Sequence, residues 1–295
     1  MQVQAFSLTI RIDIIHNKGS IRMDTFFDQS LIGNYHSKSQ IIRVLTETWV
    51  LNNIYCPRCG YHKILHFPNN SAVADFYCPM CKNEYELKSK NGAIGHKIAD
   101  GAYDTFIQRI TSNNNPDFFI LSYNADMFCV ENLWIVPKHF FVPSIVEKRR
   151  PLSSTAKRAG WIGCNILFDE IPVQGRISII QNRIPLDKNS VITQVQRATF
   201  LSEHSLDTRS WLLDVLGCIN EITSQVFSLK DIYAFEDSLS KKHPQNHNVR
   251  PKIRQQLQIL RDQGFIEFVD RGFYRKNVIG IKSSQIESNG LYKKA

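Results

Sequence analysis

The sequence predicts a mixed α/β (α+β) chain, with a larger N-terminal domain followed by a small winged helix-turn-helix domain. Three observations predict it. Strand-like and helical stretches alternate through roughly the first two hundred residues, a mixture that favours a sheet packed with helices over a sandwich or a bundle. Three amphipathic segments, 208–222, 227–242 and 249–264, then precede FIEFV and FYRK, joined by Asp270-Arg271-Gly272. Three helices followed by a hairpin is the order of a winged helix. The 295 residues, 43% apolar and 21% charged, supply one large core and one small one, and exclude disorder as the main state.

Residues 1–30 are read as an N-terminal extension; Met23 is an alternative start that would leave the segment before it outside the native chain. The opening MQVQAFSLTIRIDII could pass for a secretory leader, but Arg11 and Asp13 interrupt its apolar run and no basic region precedes it, so none is expected. QIIRVLTETWVLNNI places Ile41, Leu45 and Trp49 on one helical face, with Arg43, Glu47, Val50 and Ile54 around the other. Both sides carry apolar residues, so this helix is expected to be sandwiched. Strands are expected at 73–78, 84–90, 117–124, 132–137 and 176–184, a helix at roughly 97–110, and a linker in the polar stretch 185–206. These readings give a larger domain at 31–200, a winged helix at 205–277 and a tail at 278–295.

Lys and Arg number 36 against 27 Asp and Glu, a formal net charge of +9. A basic surplus points to a polyanionic partner, although a merely solvated basic surface explains net charge about as well. The segment 138–158 concentrates it, with six basic residues and one acidic one. No apolar run reaches the roughly eighteen residues needed to cross a membrane. The seven cysteines are odd in number and include two CxxC pairs, which favours metal over disulfides and a reducing, cytoplasmic compartment.

Those pairs are Cys56-Pro57-Arg58-Cys59 and Cys78-Pro79-Met80-Cys81, separated by 18 residues. Each CPxC forms a knuckle offering two thiolates, and four thiolates suit structural Zn2+ with no position left for substrate. Cys129, Cys164 and Cys218 have no such spacing and read as buried apolar positions.

If Cys78 to Asn83 form the tip of a hairpin, Tyr77 pairs with Glu84 and Asp75 falls opposite Glu86. Period-two alternation then puts Glu86 and Lys88 on one face and turns Leu87 away. Two carboxylates and the Leu87 carbonyl suit a hard divalent cation, with Lys88 placed to hold an attacking water and offset developing charge. Taken alone, D-x10-E-x-K also describes a solvated charged face. Glu47 is a further candidate acid, or equally an i,i+4 partner of Arg43.

In the third C-terminal segment Ile253, Leu257 and Leu260 make a core stripe, while Arg254, Gln258 and Arg261 lie along another face with Gln255 beside them. Arg and Gln pair bidentately with guanine and adenine in the major groove. From Lys241 to Lys276 there are nine basic and three acidic residues, a concentration that favours DNA over the protein-binding winged helices.

RVLTETWV, YCPRCG, VADFYCPMCKNEYELKSK, TAKRAGWIGCN and RQQLQILRDQGFIEF, in this order, closely resemble the DpnI restriction endonuclease family from about Asn34 to Lys276. The resemblance implies a PD-(D/E)xK nuclease core with an inserted zinc site, followed by a winged helix. It implies a monomeric type II enzyme that is Mg2+-dependent and methylation-dependent, cutting double-stranded DNA at GATC sites containing N6-methyladenine. By it Asp75, Glu86 and Lys88 fill the nuclease motif, with Ala74 where the motif's name has proline. Trp161 matches the aromatic residue expected to touch the adenine methyl groups, with Lys157 and Arg158 on the same loop; read without the family it would be a core tryptophan after a glycine. The alternative is a zinc-containing winged-helix DNA-binding regulator without catalysis, its charged hairpin purely structural.

Overall fold

The computed structural model describes residues 23–33, 35–67, 74–112 and 115–277. Helix α1 (Lys38–Asn53) precedes strands β1 (Leu65–His66), β2 (Phe76–Tyr77), β3 (Glu84–Asn91) and β4 (Lys97–Ala102). Helix α2 (Tyr103–Thr111) leads to β5 (Asp117–Asn124), β6 (Cys129–Val136), β7 (Val146–Lys148), β8 (Gly163–Leu167), β9 (Ile177–Gln181) and β10 (Ile184–Pro185). Helices α3 (Lys188–Ala198) and α4 (Leu206–Glu221) are followed by β11 (Val226–Ser228), α5 (Leu229–Tyr233), α6 (Glu236–Lys242), α7 (Val249–Asp262), β12 (Ile266–Asp270) and β13 (Phe273–Lys276).

The main sheet runs β1-β2-β3-β5-β6-β9-β10, with β3 and β5 parallel and its other neighbours antiparallel. β5 is buried along almost its whole length because both faces are covered, which is why DFFILSYN reads as a nearly continuous apolar run. Strand alternation sorts the faces. Tyr85, Phe119, Leu121, Leu133 and Ile135 pack with α1 and α3, through Leu45, Trp49, Val191 and Val195. Phe118, Ile120 and Val136 pack with α2 through Phe106 and Ile110, and with Ile98 and Ile166 of a small sheet ordered β4-β8-β7. Glu86 and Lys88 share the alternation of Phe118 and Ile120, opposite them in register.

Several elements differ from the sequence-based expectation. The helix expected at 97–110 is strand β4 followed by the shorter α2; Asp100 and Gly101 are weak helix formers, and pairing with β8 decides the matter. The strand expected at 176–184 is a hairpin, folding back at Asn182 and Arg183 with φ +49° and +67°. The linker expected at 185–206 is mostly α3: Asp187 accepts a hydrogen bond from the Ser190 N–H at its start, and Val191, Val195 and Ala198 are buried from it. The segment 227–242 divides into β11, α5 and α6. Of the N-terminal extension, the described part belongs to the fold: Phe27 is buried, with Met23 packed against the same core. Residues 1–22 and 278–295 lie outside the described residues, as does 73, so the expected strand 73–78 is seen only as β2.

The C-terminal elements form the expected winged helix, with a third strand added to the wing in the order β11-β13-β12. They are not a separate bead. One apolar cluster runs from α2 and the small sheet through Phe140, Phe200 and Leu201 to Trp211, Leu257 and Phe265. Arg197 of α3 stacks 4.5 Å from the Phe265 ring, and Gln174 and Asn220 exchange two hydrogen bonds. Among the described residues no helix is long and apolar enough to cross a membrane.

Candidate active site and cysteine centre

The hairpin of β2 and β3 has the expected register: Cys78 N donates to Asn83 O, Tyr77 pairs with Glu84 and Phe76 with Tyr85. Asp75 N continues the ladder to Tyr85 O at 2.9 Å, so Asp75 stands across from Glu86. There β2 has ended, and the Leu87 N–H is taken by the Asp75 side chain, at 2.7 Å from Oδ2. In a strand a residue's N–H and C=O turn to the same side, so the Leu87 carbonyl also faces this open edge.

Lys88 Nζ lies 2.6 Å from Glu86 Oε1, and Arg109 of α2 donates to Glu86 Oε2 at 2.7 Å. Asp100 of β4 takes a short, charge-assisted hydrogen bond from Lys88. Burial pushes the Asp75 carboxyl above its ordinary pKa, the Leu87 N–H opposes this, and the charges of Glu86 and Glu47 add to it. Burial works to lower Lys88, but Glu86 and Asp100 outweigh it and hold the ammonium above its usual range. Glu47 makes the i,i+4 pair with Arg43 at 2.7 Å and lies 3.4 Å from His66, and its charge is felt at Asp75. Asp100 and Arg109 were missed in the sequence, which offers only a polar Asp-Gly step and a basic residue in an amphipathic helix.

The four cysteines of the two CPxC pairs bring their sulfurs within 4.8 Å of one another. Cys56 and Cys81 lie 3.6 Å apart, as do Cys59 and Cys78; a tetrahedral ion with bonds of about 2.3 Å sets such edges near ~3.8 Å, so the donor set fits one. Each knuckle closes through a left-handed residue, Gly60 at φ +77° and Lys82 at φ +60°. The Cys59 and Cys81 N–H groups point at the sulfurs of Cys56 and Cys78. Burial pushes the Cys56 thiol far up and Cys81 up to about 11, so thiolates here call for a cation to balance them. A buried chain ties this centre to the sheet: Arg58 donates to Asn83 and Asn83 to Asp117, which also accepts the Lys138 N–H. Cys129, Cys164 and Cys218 are buried, as expected.

Trp161 lies on the loop between β7 and β8, held by Trp161 N–H to Arg158 O and Leu152 N–H to Trp161 O. One side of its ring rests so closely on Gly163 that an added Cβ would stand 2.8 Å from it, and the Arg158 guanidinium lies 4.5 Å over the ring. Lys157 is exposed nearby in sequence. On α7, Ile253, Leu257 and Leu260 are fully buried, while Arg254, Gln255, Gln258 and Arg261 are exposed. Arg254 donates to the Tyr233 hydroxyl at 2.9 Å, and Arg261 to Asp262.

A mixed sheet carrying a compact charged cluster, with a cysteine centre beside it and a winged helix docked on it, defines a class of DNA-handling proteins. Residues 23–204 match the Dam-replacing family, which goes under the name DpnI, and residues 207–276 match the Dam-replacing HTH domain. The chain belongs to the Dam-replacing family of DpnI-like restriction nucleases, with its DNA-binding helix-turn-helix domain at the C-terminus.

Proposed function

We propose that the protein is a methyl-directed type II endonuclease. It hydrolyses phosphodiester bonds of double-stranded DNA at GATC sites carrying N6-methyladenine, as a monomer, with Mg2+ for catalysis and Zn2+ for structure. The observation that carries this reading is the convergence of Asp75, Glu86 and Lys88 where β2 ends, in a chain of a restriction-nuclease family.

Asp75, Glu86 and the Leu87 carbonyl would hold Mg2+, a set of hard oxygen donors gathered where β2 ends. When bound, the ion supplies Lewis-acid charge for hydrolysis. Lys88 orients a water for in-line attack and offsets negative charge as it grows on the phosphate. Glu47 adds a further acid beside Asp75. Cys56, Cys59, Cys78 and Cys81 would hold Zn2+, a closed set with no place for substrate. Trp161 shields the adenine methyl groups in the major groove, Lys157 and Arg158 meet phosphates, and Arg254, Gln255, Gln258 and Arg261 enter the groove from α7.

One plasmid prepared with and without adenine methylation, digested in Mg2+ and in chelator, tests this reading. Fragment ends confined to GATC, from methylated DNA in Mg2+ alone, are expected. Equal cleavage of both preparations, or cleavage in chelator, contradicts it.

A further inference from the structure

Asp100 lies against Lys88 from another strand, β4. Its side chain is 5% exposed. One oxygen, Oδ1, accepts from both Lys88 Nζ and the Gly101 N–H, while Oδ2 is buried without a partner among the described residues. A buried carboxylate with an idle oxygen is costly, and removal of either member of such a pair leaves the other charge uncompensated. The strand pairing is also irregular beside it. The pairing of β4 with β8 keeps register from Lys97 to Asp100 and then slips by one residue before Ala102 meets Gly163. A β-bulge of this kind re-aims the side chain beside it, here toward Lys88.

Glu86, the other anionic partner of Lys88 among the described residues, is shared with Arg109. Any cation drawing on Glu86 therefore weakens its hold on the ammonium, whereas Asp100, on another strand, keeps its own. We infer that Asp100 is a positioning residue: it keeps the Lys88 ammonium anchored and aimed while Glu86 is engaged elsewhere. The inference rests on the proposed catalytic role of Lys88, and it assigns Asp100 no contact with substrate.

Asp100→Ala and Asp100→Asn would be compared with wild type in single-turnover cleavage of a methylated GATC duplex in Mg2+, in binding of that duplex in Ca2+, and in zinc content. Loss of an outer partner of this kind costs roughly 10- to 100-fold in activity, so Asp100→Ala is expected to cut roughly a hundredfold more slowly. Asn keeps an oxygen acceptor for Lys88 and is expected to recover about tenfold. Binding should stay within about threefold and zinc should be unchanged, since neither a groove contact nor a thiolate is touched. Cleavage by both variants within about threefold of wild type overturns the inference. So does a loss of binding or zinc that parallels the loss of rate, which marks a merely structural residue. A Lys88→Gln control separates the two layers: normal cleavage by that variant overturns the catalytic reading itself, independently of Asp100.

Discussion

The Trp161 ring packs closely on Gly163, and the Arg158 guanidinium stands over it. If Trp161 reads a methylated base as proposed, the guanidinium over its ring has to give way, and a DNA phosphate offers it a new partner. Burial of one N6-methyl gains about 0.8 kcal/mol, and two gain roughly sixteenfold in affinity. Trp161→Ala is expected to leave folding and zinc content unchanged, and to reduce cleavage of fully methylated GATC far more than binding of unmethylated DNA; a parallel loss of both, measured on the two duplexes, would mean that the ring only supports the loop. At this scale Asp75, Glu86 and Lys88 were legible because the second CPxC pair fixes the hairpin register. Asp100 and Arg109 reach Lys88 and Glu86 from β4 and α2, and no spacing within the sequence connects those segments to the hairpin.

The hairpin and its knuckle are one unit, since the Cys78 N–H to Asn83 O bond closes the tip and the next rungs place Asp75 opposite Glu86. Cys78→Ser is therefore expected to lose the metal and the cleavage activity together, elemental analysis and digestion being the checks; activity retained without metal would show that the hairpin holds its own register. Helix α7 makes a separate prediction. Arg254 is exposed on α7 and donates to the Tyr233 hydroxyl, and Arg254→Ala is expected to cost about 1–3 kcal/mol in binding if it meets a base edge. Affinity for methylated duplex across a salt series checks this, a change below experimental error placing Arg254 outside the interface. Elements were legible where periodicity was strong, as in α1, β5 and α7. They were lost where polar residues masked a short buried stripe, as in α3, where Val191 and Val195 stand among Ser190, Thr193, Gln194 and Gln196.

The whole molecule joins the two domains through a continuous apolar cluster and a few polar ties, so removal of the winged helix would strip the cover from Phe200 and Leu201, and is a poor way to ask what it contributes. His139 is one of those ties: its Nδ1 faces Arg209 Nη1 of α4 at 2.9 Å. Burial first, then the charges of Arg209 and Lys138, push its pKa from 6.5 down to about 4. A histidine kept neutral in the fold takes its proton more readily when unfolded, so stability is full above about 6.5 and declines as pH falls toward about 4. Melting temperatures of wild type and His139→Gln should differ most near neutrality and converge toward acid; a constant difference would show that His139 does not titrate across this window. The two-domain plan was legible from the order of elements, while the docking was not, because Arg197, Phe200 and Phe265 meet only in three dimensions. The central claim is that Asp75, Glu86 and Lys88 form the catalytic site of a methyl-directed nuclease. It is tested most directly by measuring, for Asp75→Ala, cleavage of a methylated GATC duplex in Mg2+ beside binding of the same duplex in Ca2+. Binding close to wild type with cleavage abolished is the expected result, and cleavage at a near-normal rate would contradict the account.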